Sequence, residues 1–350
     1  MSYTNGLDKP SDYFNTVTYT GDGSSPRSIT GVGFQPDLNW TKSRSLGGSH
    51  VLANSVSGAN KQLVSNLTNA EATNGIYGYL SAFDSDGWTM LTGSTDMSRM
   101  NANSTTYVSW NWLAGGTASS NTNGDITSSV SASTTSGFSI VSYTGTGSAV
   151  QIGHGLNSAP EITIIKRRNA TTDWVVYTDL IDGSFDYLFL NTTAAKANTT
   201  TFSSDSDTFN FSASSSVANI SGAATIAYCF HSVKGYSKMG SYTGNGSTDG
   251  TFVYTGFKPA FVMVKRTNVA SSWVILDNKR DAYNVADAYL LADSSGAENT
   301  ASTLQADFLS NGFKQRGTGV ATNSSGDNYI YMCFAENPFT TSTGVPCTAR

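Results

Sequence analysis

Along the chain, short runs in which apolar and polar residues alternate are separated by turns rich in glycine, asparagine and aspartate, the pattern of strands joined by tight connections. One such unit is written three times. Tyr19-Thr20-Gly21-Asp22-Gly23 returns as Tyr143-Thr144-Gly145-Thr146-Gly147 and again as Tyr242-Thr243-Gly244-Asn245-Gly246. The first two follow apolar alternations, Phe14 with Val17 and Phe138 with Ile140, and read as a strand entering a glycine turn. Further on, Gly33-Phe34-Gln35-Pro36 is matched by Gly155-Leu156 with Pro160 and by Gly256-Phe257-Lys258-Pro259. A second strand then begins in each copy, at Leu38, Ile162 and Ala260. Its apolar run predicts burial on both faces, with Lys42, Lys166 and Lys265 marking the solvent end.

The next strand carries Trp174-Val175-Val176-Tyr177 in the second copy and Trp273-Val274-Ile275-Leu276 in the third, where the first copy has His50-Val51-Leu52. Aromatic residues then flank a polar turn at Phe83 to Trp88, Phe202 to Phe209 and Phe308 to Phe313. The closing strand aligns best: Tyr107 to Trp112, Thr225 to Phe230 and Tyr329 to Phe334, with Val108, Trp110 and Trp112 expected on one face. Short helices are expected around Ser65 to Asn74 and Thr192 to Asn198. The pattern predicts an all-β chain of tandem antiparallel β-sandwich modules. Module boundaries are placed at 15–114, 137–234 and 235–350, the last with a C-terminal tail, and an N-terminal arm at 1–14. Residues 115–136, nearly all Gly, Ala, Ser, Thr and Asn, are expected to be a flexible linker.

Composition supports this picture. The 350 residues include 17 Phe, 17 Tyr and 6 Trp, enough aromatic surface for real cores despite only 13% charged residues. A net charge of -5 and the lack of any dense Lys/Arg run argue against nucleic acid as a partner. No secretory signal order and no long apolar stretch is present, so synthesis in a cytoplasm without membrane insertion is expected. Cys229, Cys333 and Cys347 lack zinc or disulfide-framework spacing. Cys229 and Cys333 hold equivalent places in different modules and are expected to be packed thiols.

The search for chemistry points away from an enzyme. His50, His154 and His231 lie in different parts of the repeat, and no elbow motif surrounds any serine. The Asp84-Ser85-Asp86-Gly87 turn, echoed by Asp205-Ser206-Asp207, has the opening spacing of a calcium loop, but no ligating Glu follows, so a plain turn is expected. Asp179 with Asp182, or Asp277 with Asp281, are read as loop carboxylates rather than a sugar-cleaving pair. No catalytic residue, metal site or cofactor is expected. Trp174 and Trp273 are the candidates for stacking glycans, the other reading being that they plug the core of a module.

Three features together carry a family likeness: Gly-Phe-x-Pro before an apolar strand ending in Lys and Arg, the Phe-Asp-Ser-Asp-Gly turn, and the ending Ala335-Glu336-Asn337-Pro338-Phe339. The chain resembles repeat-bearing structural proteins of marine tailed bacteriophages, such as cyanophages, over nearly its whole length. The resemblance implies lectin-like or laminin-G-like jelly-roll sandwiches on the virion surface. It also implies a tail-associated or fibre protein contributing to host attachment, the alternative being capsid decoration. Partners would be other virion proteins, further copies in a homo-oligomer such as a trimer, and host surface glycans. The first copy departs from the pattern at Asn39 and Thr41 and in its missing tryptophan, and is expected to serve attachment to the particle.

Overall fold

The structure, a computed structural model, describes residues 7–347. It is all-β, with a single short 3₁₀ turn at Pro10–Asp12 among the described residues. Three large antiparallel sheets are each built from one continuous stretch of chain, and each has a three-stranded sheet beside it. The first large sheet runs, in spatial order, Phe14–Thr20, Thr106–Trp112, Leu38–Ser43, Val51–Asn54, Lys61–Val64 and Ala72–Thr73. The third repeats that order with Ser237–Thr243, Asn328–Pro338, Phe257–Arg266, Trp273–Asp277, Ala288–Leu291 and Asn299–Thr300. In the second, Phe138–Thr144, Ala224–Phe230, Ile162–Arg167, Val175–Thr178, Asp186–Phe189 and Ala197–Asn198 occupy the same places. Registers agree as well: Tyr19 faces Tyr107, Tyr143 faces Thr225, and Tyr242 faces Tyr329.

The second large sheet has two further strands, Ser119–Asn121 and Ser128–Ser133, and both come from the segment expected to be a flexible linker. That expectation is corrected. Its small polar residues are satisfied by backbone pairing and by each other: the Ser128 hydroxyl donates to Gly153 O, and Gly115 N donates to Ser131 Oγ. Val130 plugs into the apolar interior of the second module. Small size is required at Gly115, where a Cβ would sit 2.4 Å from Ala132 O. The two expected short helices are also absent from the described residues; those stretches hold turns and the short edge strands Ala72–Thr73 and Ala197–Asn198.

Alternation along the long strands sends one face of each large sheet to its own three-stranded partner and the other to a core shared by all three modules. The shared core takes Trp40, Trp110 and Trp112 from the first module, Ile164, Trp174 and Tyr228 from the second, and Phe261, Met263 and Trp273 from the third. Full burial of such side chains stabilises by about 1.5–3 kcal/mol each. At its centre lies an apolar cavity of about 20 Å³, lined from all three modules by Trp40, Ile164, Met263 and their neighbours. It has room for about one water, but its wholly apolar lining offers that water no hydrogen-bond partner. Val108, Trp110 and Trp112 all face this core, as their alternation predicts.

Two further expectations need correcting. Lys42, Lys166 and Lys265 are not at a solvent end but fully buried. In the segment expected as an N-terminal arm, residues 1–6 lie outside the described residues, but Leu7, Pro10 and Phe14 are buried. Phe14 stacks on Phe334 of the third module at 5.0 Å, so residues 7–14 belong to the packed body.

Asn39 and Thr41 occupy the face that in the other copies holds Thr163 and Ile165, or Val262 and Val264. In the first module that face is a hydrogen-bonded polar layer. Asn39 Nδ2 donates to Ser109 Oγ and Asn111 Oδ1, both at 2.8 Å, and Thr41 Oγ1 donates to Asn39 Oδ1. Because each buried polar side-chain atom of these four residues finds a partner, the layer replaces apolar packing at little cost.

Candidate functional site

The repeated Tyr-Thr-Gly motif holds each module's first turn. The tyrosine hydroxyl donates to a carbonyl on the approach to the closing strand: Tyr19 to Met100, Tyr143 to Ala218, Tyr242 to Thr322. The next residue along in each case is a buried asparagine, Asn101, Asn219 or Asn323. Its amide oxygen accepts from the turn backbone at Asp22, Thr146 or Asn245. The motif glycine must be bare, since a Cβ at Gly21, Gly145 or Gly244 would lie 2.0, 2.4 or 2.3 Å from a carbonyl oxygen. All three asparagines stand six places before the closing-strand landmark, a spacing visible in the sequence that the motif search passed over.

The expected sugar-stacking tryptophans do something else. Trp174 and Trp273 are fully buried and present no face to a ligand, which corrects that assignment. Trp174 Nε1 donates to Val64 O of the first module at 2.9 Å, and Trp273 Nε1 donates to Phe189 O of the second at 2.9 Å. In the first module His50 stands at this place, and its Nε2 meets Leu291 O of the third at 3.0 Å. Val64, Phe189 and Leu291 are themselves equivalent, each ending the fifth strand in the spatial order given above. The second module therefore joins the first, the third joins the second, and the first joins the third: the three close a ring.

Backbone rungs repeat the same cycle. Gly48 N donates to Ser295 O, Thr172 N to Thr68 O and Ser271 N to Thr193 O, all at 2.7–2.9 Å. In the return direction Glu298 N donates to Arg44 O, Glu71 N to Arg168 O and Lys196 N to Thr267 O. Two of the joints add a bidentate ion pair, Arg44 with Glu298 and Arg168 with Glu71, each partner less than a quarter exposed. At the third joint Thr267 replaces the arginine, and Lys196 turns back to Asp182 and Asp186 of its own module. The buried lysines serve the joints too: Lys166 Nζ donates to Thr68 O and Lys265 Nζ to Thr193 O, each across a boundary. Burial lowers the ammonium of Lys42, Lys166 and Lys265 to about 8.

The remaining polar candidates are committed locally. Asp86 accepts from Gly31 N and Gly33 N, and Asp205 accepts from Asp207 N and Thr208 N, which makes both carboxylates turn caps. Asp277 holds Trp110 Nε1 and the Arg280 guanidinium, and Asp281 accepts from Asp287 N and Ala288 N. Among the described residues no group of three His, Cys, Asp or Glu side chains is placed to hold a metal ion. Cys229 and Cys333 are buried, and burial pushes the Cys229 thiol up to about 12.

A family model described as a domain of unknown function, DUF7483, matches residues 9–338. The chain belongs to the DUF7483 family. No curated protein and no solved structure matches. The match spans all three sheet pairs. On the outside of this DUF7483 ring the aromatic residues open to solvent include Phe252, Tyr254, Tyr283 and Phe339, all from the third module. The run Thr251-Phe252-Val253-Tyr254 does not reveal by itself which of its side chains face out, because a slip of one residue exchanges the two faces.

Proposed function

We propose that this chain is a non-enzymatic structural protein of a tailed-phage virion, displayed on the particle surface, tail- or fibre-associated, and contributing to adhesion to host glycans. The observation that carries the reading is the closed ring of joints made by His50, Trp174 and Trp273. It gives one chain three equivalent modules closed about a near-threefold internal axis. Such a body seats on a threefold fibre or spike axis without needing a second copy to supply the symmetry. The carboxylates of Asp86 and Asp205 and the buried Lys166 and Lys265 are committed to turns and joints, and each small sheet turns exposed residues outward. The likeness to phage structural repeats points the same way. Several copies on one particle, a homotrimer among the possible arrangements, would multiply weak glycan contacts into firm attachment.

The same symmetry favours a second reading, capsid decoration, because shells also offer local threefold positions. Imaging of intact particles labelled with an antibody against the chain decides between them. Label at the tail or its fibres supports adhesion; label spread over the head establishes decoration. Purified particles lacking the chain would remove both.

A further inference from the structure

The three small sheets are equivalent in register, yet their outer faces differ. Ile29, Ile152 and Val253 point inward at matching places, opposite Trp88, Phe209 and Phe313. The flanking residues are Ser28 and Thr30 in the first module, Gln151 and a Gly153 covered by Asn121 and Asn123 in the second, and Phe252 and Tyr254 in the third. Phe252 is 43% exposed and Tyr254 62%, although serine, threonine, glutamine and glycine suffice at these positions elsewhere. The fold does not need these two rings.

What surrounds them is polar. Across the sheet Phe252 faces Lys314, which faces Asp307, while Tyr254 faces Gly312. Lys314 pairs with Asp249 at 2.5 Å and Arg316 with Asp307 at 3.3 Å. Gly312 is obligatory, since a Cβ there would lie 2.0 Å from Val253 O, so the floor beside the Phe252 ring is bare backbone.

Building on the adhesive reading above, we propose that this face, centred on Phe252 and Tyr254, is a binding site for neutral saccharides. Sugar rings present apolar C–H faces to aromatic rings and hydroxyls to their edges, and here the rings lie beside two ion pairs whose atoms both donate and accept. Two cations, Lys314 and Arg316, balance two anions, Asp249 and Asp307, which selects a neutral ligand over a sialylated or sulfated one. The two rings expose on the order of 200 Å², against roughly 800 Å² that each partner contributes to a standard protein interface. A sugar or two covers that area.

The test uses the full chain and a panel of neutral glucose, galactose, mannose and N-acetylglucosamine oligosaccharides, with sialylated and sulfated controls, read by saturation-transfer NMR and titration calorimetry. At least one neutral member is expected to bind, Tyr254→Ala to weaken it about tenfold, and the Phe252→Ala/Tyr254→Ala pair to abolish it. Gln151→Ala, at the equivalent place in the second module, is expected to leave it unchanged. Unaltered thermal unfolding of the variants separates loss of contact from loss of fold. Binding that survives the double variant, binding of the acidic controls alone, or no binding by the panel overturns the proposal. The particle-labelling result is independent: label over the head would remove the adhesive reading without touching a measured saccharide site.

Discussion

His50 Nε2 lies 3.0 Å from Leu291 O, closing the ring between the first and third modules with an imidazole where the other two joints use indole. The other ring nitrogen, Nδ1, accepts from Trp40 Nε1 at 2.8 Å, so the partners assign the proton to Nε2. Trp40 stands where the other modules have Ile164 and Met263. The first joint thus moves the large indole one strand over and bridges the gap with histidine.

That exchange predicts a repair. His50→Trp alone overpacks the joint and is expected to cost about 1–3 kcal/mol. Adding Trp40→Ile, which rebuilds the second module's joint, is expected to recover most of that loss, measured by urea unfolding of the single and double variants.

The joint also predicts acid sensitivity. Burial holds the His50 pKa well below its ordinary value, with the nearby Lys42 charge acting in the same direction. The unfolded chain then takes up a proton near pH 6.5 that the folded chain refuses, so this stability is complete above about 6.5 and is lost as pH falls below it. Melting temperature is expected to drop between about pH 6.5 and 5. The Trp40→Ile/His50→Trp variant should keep only the part due to buried His154, whose pKa is also lowered.

On the alkaline side two kinds of group act in opposite directions. Lys42, Lys166 and Lys265 lose their protons near pH 8 when folded and near 10.5 when unfolded, so the unfolded state holds more protons in between and stability rises with pH there. Buried tyrosines such as Tyr143 and Tyr242, raised by desolvation, keep protons that the unfolded chain loses above about pH 10, which turns the curve down. Denaturant titrations should therefore find a maximum between about pH 9 and 10, and Lys166→Met should flatten the rise.

A shared core predicts one unfolding transition. Trp273→Ala is expected to cost about 3–5 kcal/mol and to lower the whole transition, rather than release the third module by itself. Calorimetric and van't Hoff enthalpies should agree in both proteins; two resolved peaks in the variant would contradict the ring as a cooperative unit.

The turn clamp is equally open to test. Asn219→Ala removes acceptors and donors that hold Thr146 N, Ser148 O and Ala213 O, leaving buried polar groups unpaired. A loss of about 2–4 kcal/mol is expected, while Tyr143→Phe, which removes one hydroxyl bond to Ala218 O, should cost about 1 kcal/mol.

The strand-and-turn pattern is legible in the sequence because each long strand must serve two buried faces, and the threefold repeat of Tyr-Thr-Gly and of the closing strand announces three equivalent sheets. What was hidden is how the sheets meet. Trp174 looks the same in sequence whether it plugs one sandwich, stacks a sugar or spans to Val64, since the partner is a backbone carbonyl and carries no residue signature. Lys166 reads as a surface residue because lysine is rarely buried, and only the carbonyls of Thr68 and Thr172 gathered around it make burial tolerable. Residues 115–136 read as a linker by composition, although strand edges that pair through backbone need no apolar signal beyond Val130.

Each joint uses one surface as giver and a different surface as receiver, and such heterologous contacts either close upon themselves or continue without limit. With three modules in one chain every giver has met its receiver. A fragment of one module would carry an unspent surface of each kind, and because the joints close in three steps the expected fate of such fragments is association into closed rings of three. Fusion of the three into a single polypeptide makes that closure independent of concentration, since every partner is already on the same chain.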